Sequence, residues 1–199
     1  MPRPVLYYIR HGETDWNVVG RLQGHQDVPL NARGRAQAKR CGEVLRDLFA
    51  RKGIDALGLD YVSSPLGRAR QTMALARAGL GLDAEDYRVA AELIEISFGD
   101  WEGFTIAQLR ERDPQRVAAR EHDKWHFLPP AGESYEAVSA RMYDWYRGLT
   151  RDTVAAAHGG TARGLMAALG IAKPAAAPLI DIEQGVVYVF AGDTLTRYA

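Results

Sequence analysis

Pro4-Val5-Leu6-Tyr7-Tyr8-Ile9 places apolar side chains at consecutive positions rather than at every second one, and this limits the possible folds more than any other feature. A strand with one wet face alternates apolar and polar residues, whereas one without alternation has to be covered on both faces. Leu59-Asp60-Tyr61-Val62-Ser63 and Thr153-Val154-Ala155-Ala156-Ala157 read as further strands. Each of the three runs passes into a polar or glycine-bearing turn: Arg10-His11-Gly12-Glu13-Thr14, Ser64-Pro65 leading to Arg68, and His158-Gly159-Gly160.

Helical spacing follows each turn. Asn31 is placed to cap a helix from Ala32 to Ala50, with Ala38, Cys41, Val44, Leu45 and Leu48 on one face. Arg68 to Arg77 and Thr161 to Leu169 are the next two, the second closed by Gly170. Glu133 to Leu149 repeats the spacing in Val138, Met142, Trp145 and Leu149, with Glu133 and Ser134 at its start. Val186 to Phe190 and Leu195 to Tyr198 flank an Ala-Gly-Asp turn and predict a closing hairpin. The expected fold is a three-layer α/β/α sandwich with a largely parallel central sheet and an antiparallel edge.

Asp83 to Pro130 is less regular: a strand-like piece from Val89 to Ile94, a loop through Gly103, then helical Thr105 to His122. The expectation is a single domain over residues 1–199, with a substrate-specificity insertion around residues 83–130.

In such sheets ligands bind beyond the carboxyl ends of the strands, where this chain puts Arg10, His11, Arg68 and His158. Lys plus Arg and Asp plus Glu each number 25, so no global field draws the protein to nucleic acid or acidic lipid. An anion site must then come from a local cluster. The guanidinium fork suits phosphate oxygens, and a helix N-terminus after His158 adds N–H donors. A neutral imidazole at His11 is a competent nucleophile towards phosphorus, provided its other ring nitrogen is held, for example by a backbone carbonyl at Gly12. An ester also needs an acid for its leaving oxygen. Glu92 and Glu95 are candidates, and Glu95 is preferred because Ile94, Ile96 and Phe98 flank it.

Together, Arg10-His11-Gly12-Glu13-Thr14, Trp16-Asn17, Arg21-Leu22-Gln23-Gly24, Ser64-Pro65-Leu66-Gly67-Arg68-Ala69-Arg70-Gln71-Thr72, Glu95 to Gly103, Pro130 to Ser134 and Ala157-His158-Gly159-Gly160 resemble the histidine phosphatase superfamily, which also contains the cofactor-dependent phosphoglycerate mutases. The resemblance implies that His11 is phosphorylated, that Arg10, Arg68 and His158 hold the transferring phosphoryl, and that Glu95 donates the proton. It also implies that Asn17, Gln23 and Gly24 contact phosphate or substrate and that Gly159 offers its N–H. No metal and no cofactor are implied. Departures from the mutase pattern favour water as acceptor: Ile96 and Phe98 stand where mutases carry an arginine and a tyrosine, Ile106 falls at a mutase lysine, and Gly160 replaces an asparagine.

The expected partner is a small phosphorylated metabolite, with no nucleic acid and no membrane, and the expected location is cytoplasmic, since no apolar run approaches a membrane span. The alternatives are a phosphoglycerate mutase or a non-catalytic phosphate binder on the same scaffold. Phe98, Trp101, Trp125 and Phe127 are weighed as an apolar wall against a plainer role as core aromatics. His122 and His126 have a spacing that can bind zinc but lack a third ligand, Arg70 reads as a solvated charge, and lone Cys41 reads as a small core residue.

Overall fold

The computed structural model describes residues 3–199. Strands β1 (Leu6–Arg10), β2 (Asp60–Ser63), β3 (Arg88–Val89), β4 (Thr153–Ala157), β5 (Val187–Ala191) and β6 (Thr194–Tyr198) form one sheet in the order β3-β2-β4-β1-β5-β6. β3, β2, β4 and β1 run parallel, while β5 and β6 add an antiparallel edge.

Helices cover both faces, as the missing alternation in β1 requires. On one face α2 (Ala32–Lys52) and α3 (Gly67–Gly79) bring Cys41, Leu45, Leu48 and Met73 onto Tyr7, Ile9, Val154 and Ala156. On the other, α6 (Tyr135–Arg147) and α7 (Gly159–Ala168) bring Val138, Met142 and Leu165 onto Leu6, Tyr8, Ala155 and Ala157. Successive residues of β1 thus enter opposite cores. Truncating a side chain as completely enclosed as Leu45 costs about 2–5 kcal/mol. Cys41 is a buried core thiol, and burial pushes its pKa up to about 12.

The helix starts carry the caps their sequences supply: Asn31 accepts from Gly34 N (2.8 Å) and Ser134 from Ala137 N (3.2 Å). Two expectations need correction, both between residues 83 and 130. The strand over Val89 to Ile94 is only Arg88–Val89, because the chain turns at Ala90 into a 3-10 helix at Ala91–Leu93. The helix over Thr105 to His122 is two, α4 (Ile106–Arg112) and α5 (Pro114–His122), since Pro114 has no N–H to continue α4 and instead opens α5 behind the Asp113 cap. This segment has its own small core of Trp101, Leu109 and Val117. No described helix is long and apolar enough to cross a membrane.

Candidate active site

β1, β2 and β4 end side by side and set the positions of the charged side chains. His11 N donates to Ala157 O at 2.8 Å, extending the β1–β4 ladder by one rung, so His11 and His158 leave adjacent parallel strands at matching height. Their ring centroids lie 5.2 Å apart. His11 Nδ1 bonds Gly12 O at 2.7 Å, which directs Nε2 into the cleft. The turn closes this tightly because Gly12 lies directly on Gly34: a Cβ there would be 2.1 Å from Gly34 O. Gly12 N donates to Thr72 Oγ1 (3.1 Å), which donates on to Arg68 O (2.8 Å), tying the His11 turn to α3.

Arg68 is fully buried; its Nη1 donates to Gln26 O (2.6 Å) and its Nη2 to Gly24 O (2.7 Å). Arg10 Nη1 donates to Ile182 O at 2.6 Å. His158 Nε2 bonds Ser64 Oγ at 2.7 Å, and its backbone N–H is held at 2.9 Å by the Tyr8 hydroxyl. Arg10 Nε, Arg68 Nε and His158 Nδ1 have no partner within the protein and account for three of the five such buried side-chain atoms among the described residues. Unpaired buried polar atoms are costly, and three of them on residues beside His11 make an arrangement able to serve an anion.

Burial, then Arg68 and Arg10, holds the His11 pKa well below its ordinary value, and burial, then Arg68, His11 and Arg10, does the same for His158. Both imidazoles are therefore neutral near pH 7. Burial and then Arg163 lower the Arg10 pKa.

Glu95 is half-buried on the cleft wall, over the first turn of α7. Oε1 accepts from Ile96 N (2.9 Å) and Thr161 N (3.3 Å), and Oε2 from Gly160 N (3.2 Å). Of its apolar neighbours, Ile96 is buried while Ile94 and Phe98 are partly so. Glu92 is exposed and lies against Arg141 and Trp145 in another depression.

Asn17, Gln23, Gly24 and Gly159 all line the cleft, which has a volume of about 130 Å³. Asn17 Oδ1 accepts from Thr14 N and Gln184 Nε2, both at 3.1 Å. Gln23 Oε1 accepts from Thr14 Oγ1 at 3.0 Å. Phe98 alone of the four aromatics lines the cleft; Trp101 packs on Phe127, and Trp125 stacks on Tyr135. His126 Nδ1 pairs with Asp123 (2.8 Å), His122 and Arg70 are exposed, and no metal-binding cluster occurs among the described residues.

Other residues, to which the sequence reading gave no role, line the cleft or hold its lining in place. Thr14 caps α1 (Asp15–Val18) and positions Asn17 and Gln23. Arg163 and Tyr135 line the wall. Arg163 was detectable, being one helical turn beyond Gly159 and on the same face.

The sequence matches the histidine phosphatase superfamily (branch 1) over residues 6–194. The chain belongs to this family. Among histidine phosphatases, the glucosyl-3-phosphoglycerate phosphatase of Mycobacterium tuberculosis is 36% identical over 178 residues, 82% of this chain and 74% of its own length. A crystal structure of a putative alpha-ribazole-5'-P phosphatase from Escherichia coli superposes with a TM-score of 0.81 at 28% identity, covering 98% of this chain and 94% of that one. A 2,3-bisphosphoglycerate-dependent phosphoglycerate mutase of Beijerinckia indica is 26% identical over 94% of this chain and 90% of its own length. Other mycobacterial relatives, 37% identical over 69% of this chain, are much longer, and the chain spans about a third of their length (35%).

Proposed function

We propose that the chain is a metal-independent phosphomonoester hydrolase working through a phosphohistidine at His11. The observation that carries this reading is the set of unpaired buried donors, Arg10 Nε and Arg68 Nε with His158 Nδ1, around an imidazole whose Nδ1 is fixed and whose Nε2 faces the cleft. The Nε2 lone pair attacks phosphorus, the ester P–O bond breaks, and protonated Glu95 gives its proton to the leaving oxygen. Water then attacks the phosphohistidine, Glu95 takes the proton back, and the P–N bond breaks to return His11. Arg10, Arg68, His158 and the N–H of Gly159 stabilise the charge on the transferring oxygens. Asn17, Gln23 and Gly24 border the phosphate, and residues 83–130 shape the space for the leaving group.

Water as acceptor is supported by the wall opposite. Ile106 packs into the Trp101–Leu109–Val117 core rather than lining the cleft, and Phe98 presents a bare ring. Neither offers a polar anchor to a substrate awaiting a second transfer. The reading includes a small phosphorylated metabolite as substrate and a cytoplasmic location.

Rapid-quench labelling with p-nitrophenyl phosphate tests the reading. Acid-labile phosphate is expected on His11 and is lost in His11→Ala, with net phosphate release from a panel of esters. Efficient interconversion of phosphoglycerates with negligible phosphate release would make the chain a mutase, and no labelling or turnover would leave a binder.

A further inference from the structure

Tyr8 holds His158 by its main chain rather than by its ring. It lies in the middle of β1, completely enclosed, opposite Ala155 on one side and Tyr188 on the other, and its ring packs edge-on against Phe190 at 6.1 Å. A phenylalanine would make those contacts equally well. The hydroxyl goes further, to the turn between β4 and α7, where it accepts from His158 N (2.9 Å) and has two acceptors for its own proton, His158 O and Thr161 Oγ1, each at 2.7 Å. Thr161 Oγ1 closes the ring: it accepts from His158 N at 3.2 Å and donates to His158 O at 3.1 Å. Burial raises the Tyr8 pKa, so the phenol stays protonated and keeps its donor.

A buried phenol is satisfied by any donor and any acceptor within reach. Here both belong to one residue, whose ring stands 5.2 Å from that of His11. With the N–H and C=O of His158 engaged, the peptide planes on either side of it are fixed, and Ser64 Oγ bonds its Nε2 at 2.7 Å. Nδ1 is left over, buried and with no partner in the protein. Tyr8 also stands in the strand that carries Arg10 and leads into His11, so its hydroxyl is a second tie between the two histidines. The rung from His11 N to Ala157 O sets their spacing, and the hydroxyl sets how His158 is turned.

We propose that Tyr8 is a positioning residue: its hydroxyl, together with that of Thr161, fixes the main chain of His158 so that the imidazole meets the phosphoryl group during transfer. The proposal rests on the phosphatase reading and adds to it a residue that touches no substrate. Preorganised groups act most strongly on charge that develops in the transition state, and a misplacement of about 1 Å is enough to cost about a hundredfold in rate.

Tyr8→Phe removes the hydroxyl and leaves the ring. With p-nitrophenyl phosphate, kcat/KM normalised to the His11 that takes acid-labile phosphate should fall about tenfold to a hundredfold. The Ki of orthovanadate, which adopts the five-coordinate geometry of the transferring phosphoryl, should rise by a similar factor, while the Ki of inorganic phosphate stays close to the wild-type value. A loss of folded molecules moves neither constant. Thr161→Ala, which keeps the N–H that bonds Glu95, should show the same split, and Thr161→Ser should return both constants to wild type. This pair carries the test if Tyr8→Phe does not fold. Equal shifts in the two Ki values, unchanged kcat/KM in Tyr8→Phe, or equal behaviour of Thr161→Ala and Thr161→Ser would reduce the hydroxyls to a core feature and overturn the proposal. Failure of the phosphatase reading shows instead in the wild type, as no phosphate release from any ester and no acid-labile phosphate on His11, and it removes the proposal as well.

Discussion

Glu95 occupies the space a side chain at Gly160 would need: a Cβ there would lie 2.4 Å from Glu95 Oε1 and 2.6 Å from Ile96 Cγ2. Glycine at this position is what lets the carboxylate rest on the first turn of α7. In Gly160→Ala the carboxylate, as the end of a flexible side chain, swings off its N–H contacts while the buried Ile96 must shift as well, so some stability is lost along with the positioning of Glu95. Activity on alkyl phosphates should fall about tenfold to a hundredfold, within the range one positioned proton donor provides. The loss should be smaller for p-nitrophenyl phosphate, whose leaving group hardly needs the proton. Equal losses on both substrates would show that Glu95 is not the acid.

Gly12 presents the opposite case, since its neighbour is main chain. An alanine Cβ would sit 2.1 Å from Gly34 O and 2.6 Å from Gly34 C, neither of which can swing away. Gly12→Ala should cost about 1–3 kcal/mol or more in urea-unfolding measurements, the usual range for overpacking. Gly58→Ala, with nothing within 4 Å, is the matched control and should be close to neutral. Similar stability for the two variants would mean the turn relaxes easily.

The two neutral imidazoles make stability depend on pH. Both folded-state pKa values lie below the ordinary 6.5, so as pH falls through that value the unfolded chain takes up protons that the folded chain does not. Stability from this source is present in full above about pH 6.5 and declines below it, with a slope approaching about 1.4 kcal/mol per pH unit for each histidine. Urea unfolding of wild type and His158→Gln from about pH 7.5 to 5 checks the sign: the wild-type curve should drop more steeply. Parallel curves would show that His158 takes up its proton as readily in the folded protein as in the unfolded chain.

The sheet and the residues gathered at its carboxyl-terminal edge were legible in the sequence because both depend on local patterns. The runs at β1, β2 and β4 lack alternation, and each ends in a cation or histidine beside glycine or proline, so the strand ends could be located before their neighbours were known. What stayed hidden depends on tertiary contacts. Val89 to Ile94 has strand-like composition, yet only Arg88–Val89 pairs, with Val62–Ser63. The break at Pro114 was visible as a residue and underweighted as a helix stop. Thr14 and Arg163 entered the site through partners distant in sequence or through a helix face whose direction was not yet fixed.

The rung from His11 N to Ala157 O has a consequence for the site's dimensions. Neighbouring strands are about 4.8 Å apart because main-chain hydrogen bonds set that distance, and the 5.2 Å between the two imidazole rings is close to it. The separation of the paired histidines is thus measured by a ruler of peptide groups rather than by side-chain packing. Core substitutions that loosen α2 or α6 can soften the protein without altering that measure, and sequence drift in the helices is free to proceed around a gap of constant width.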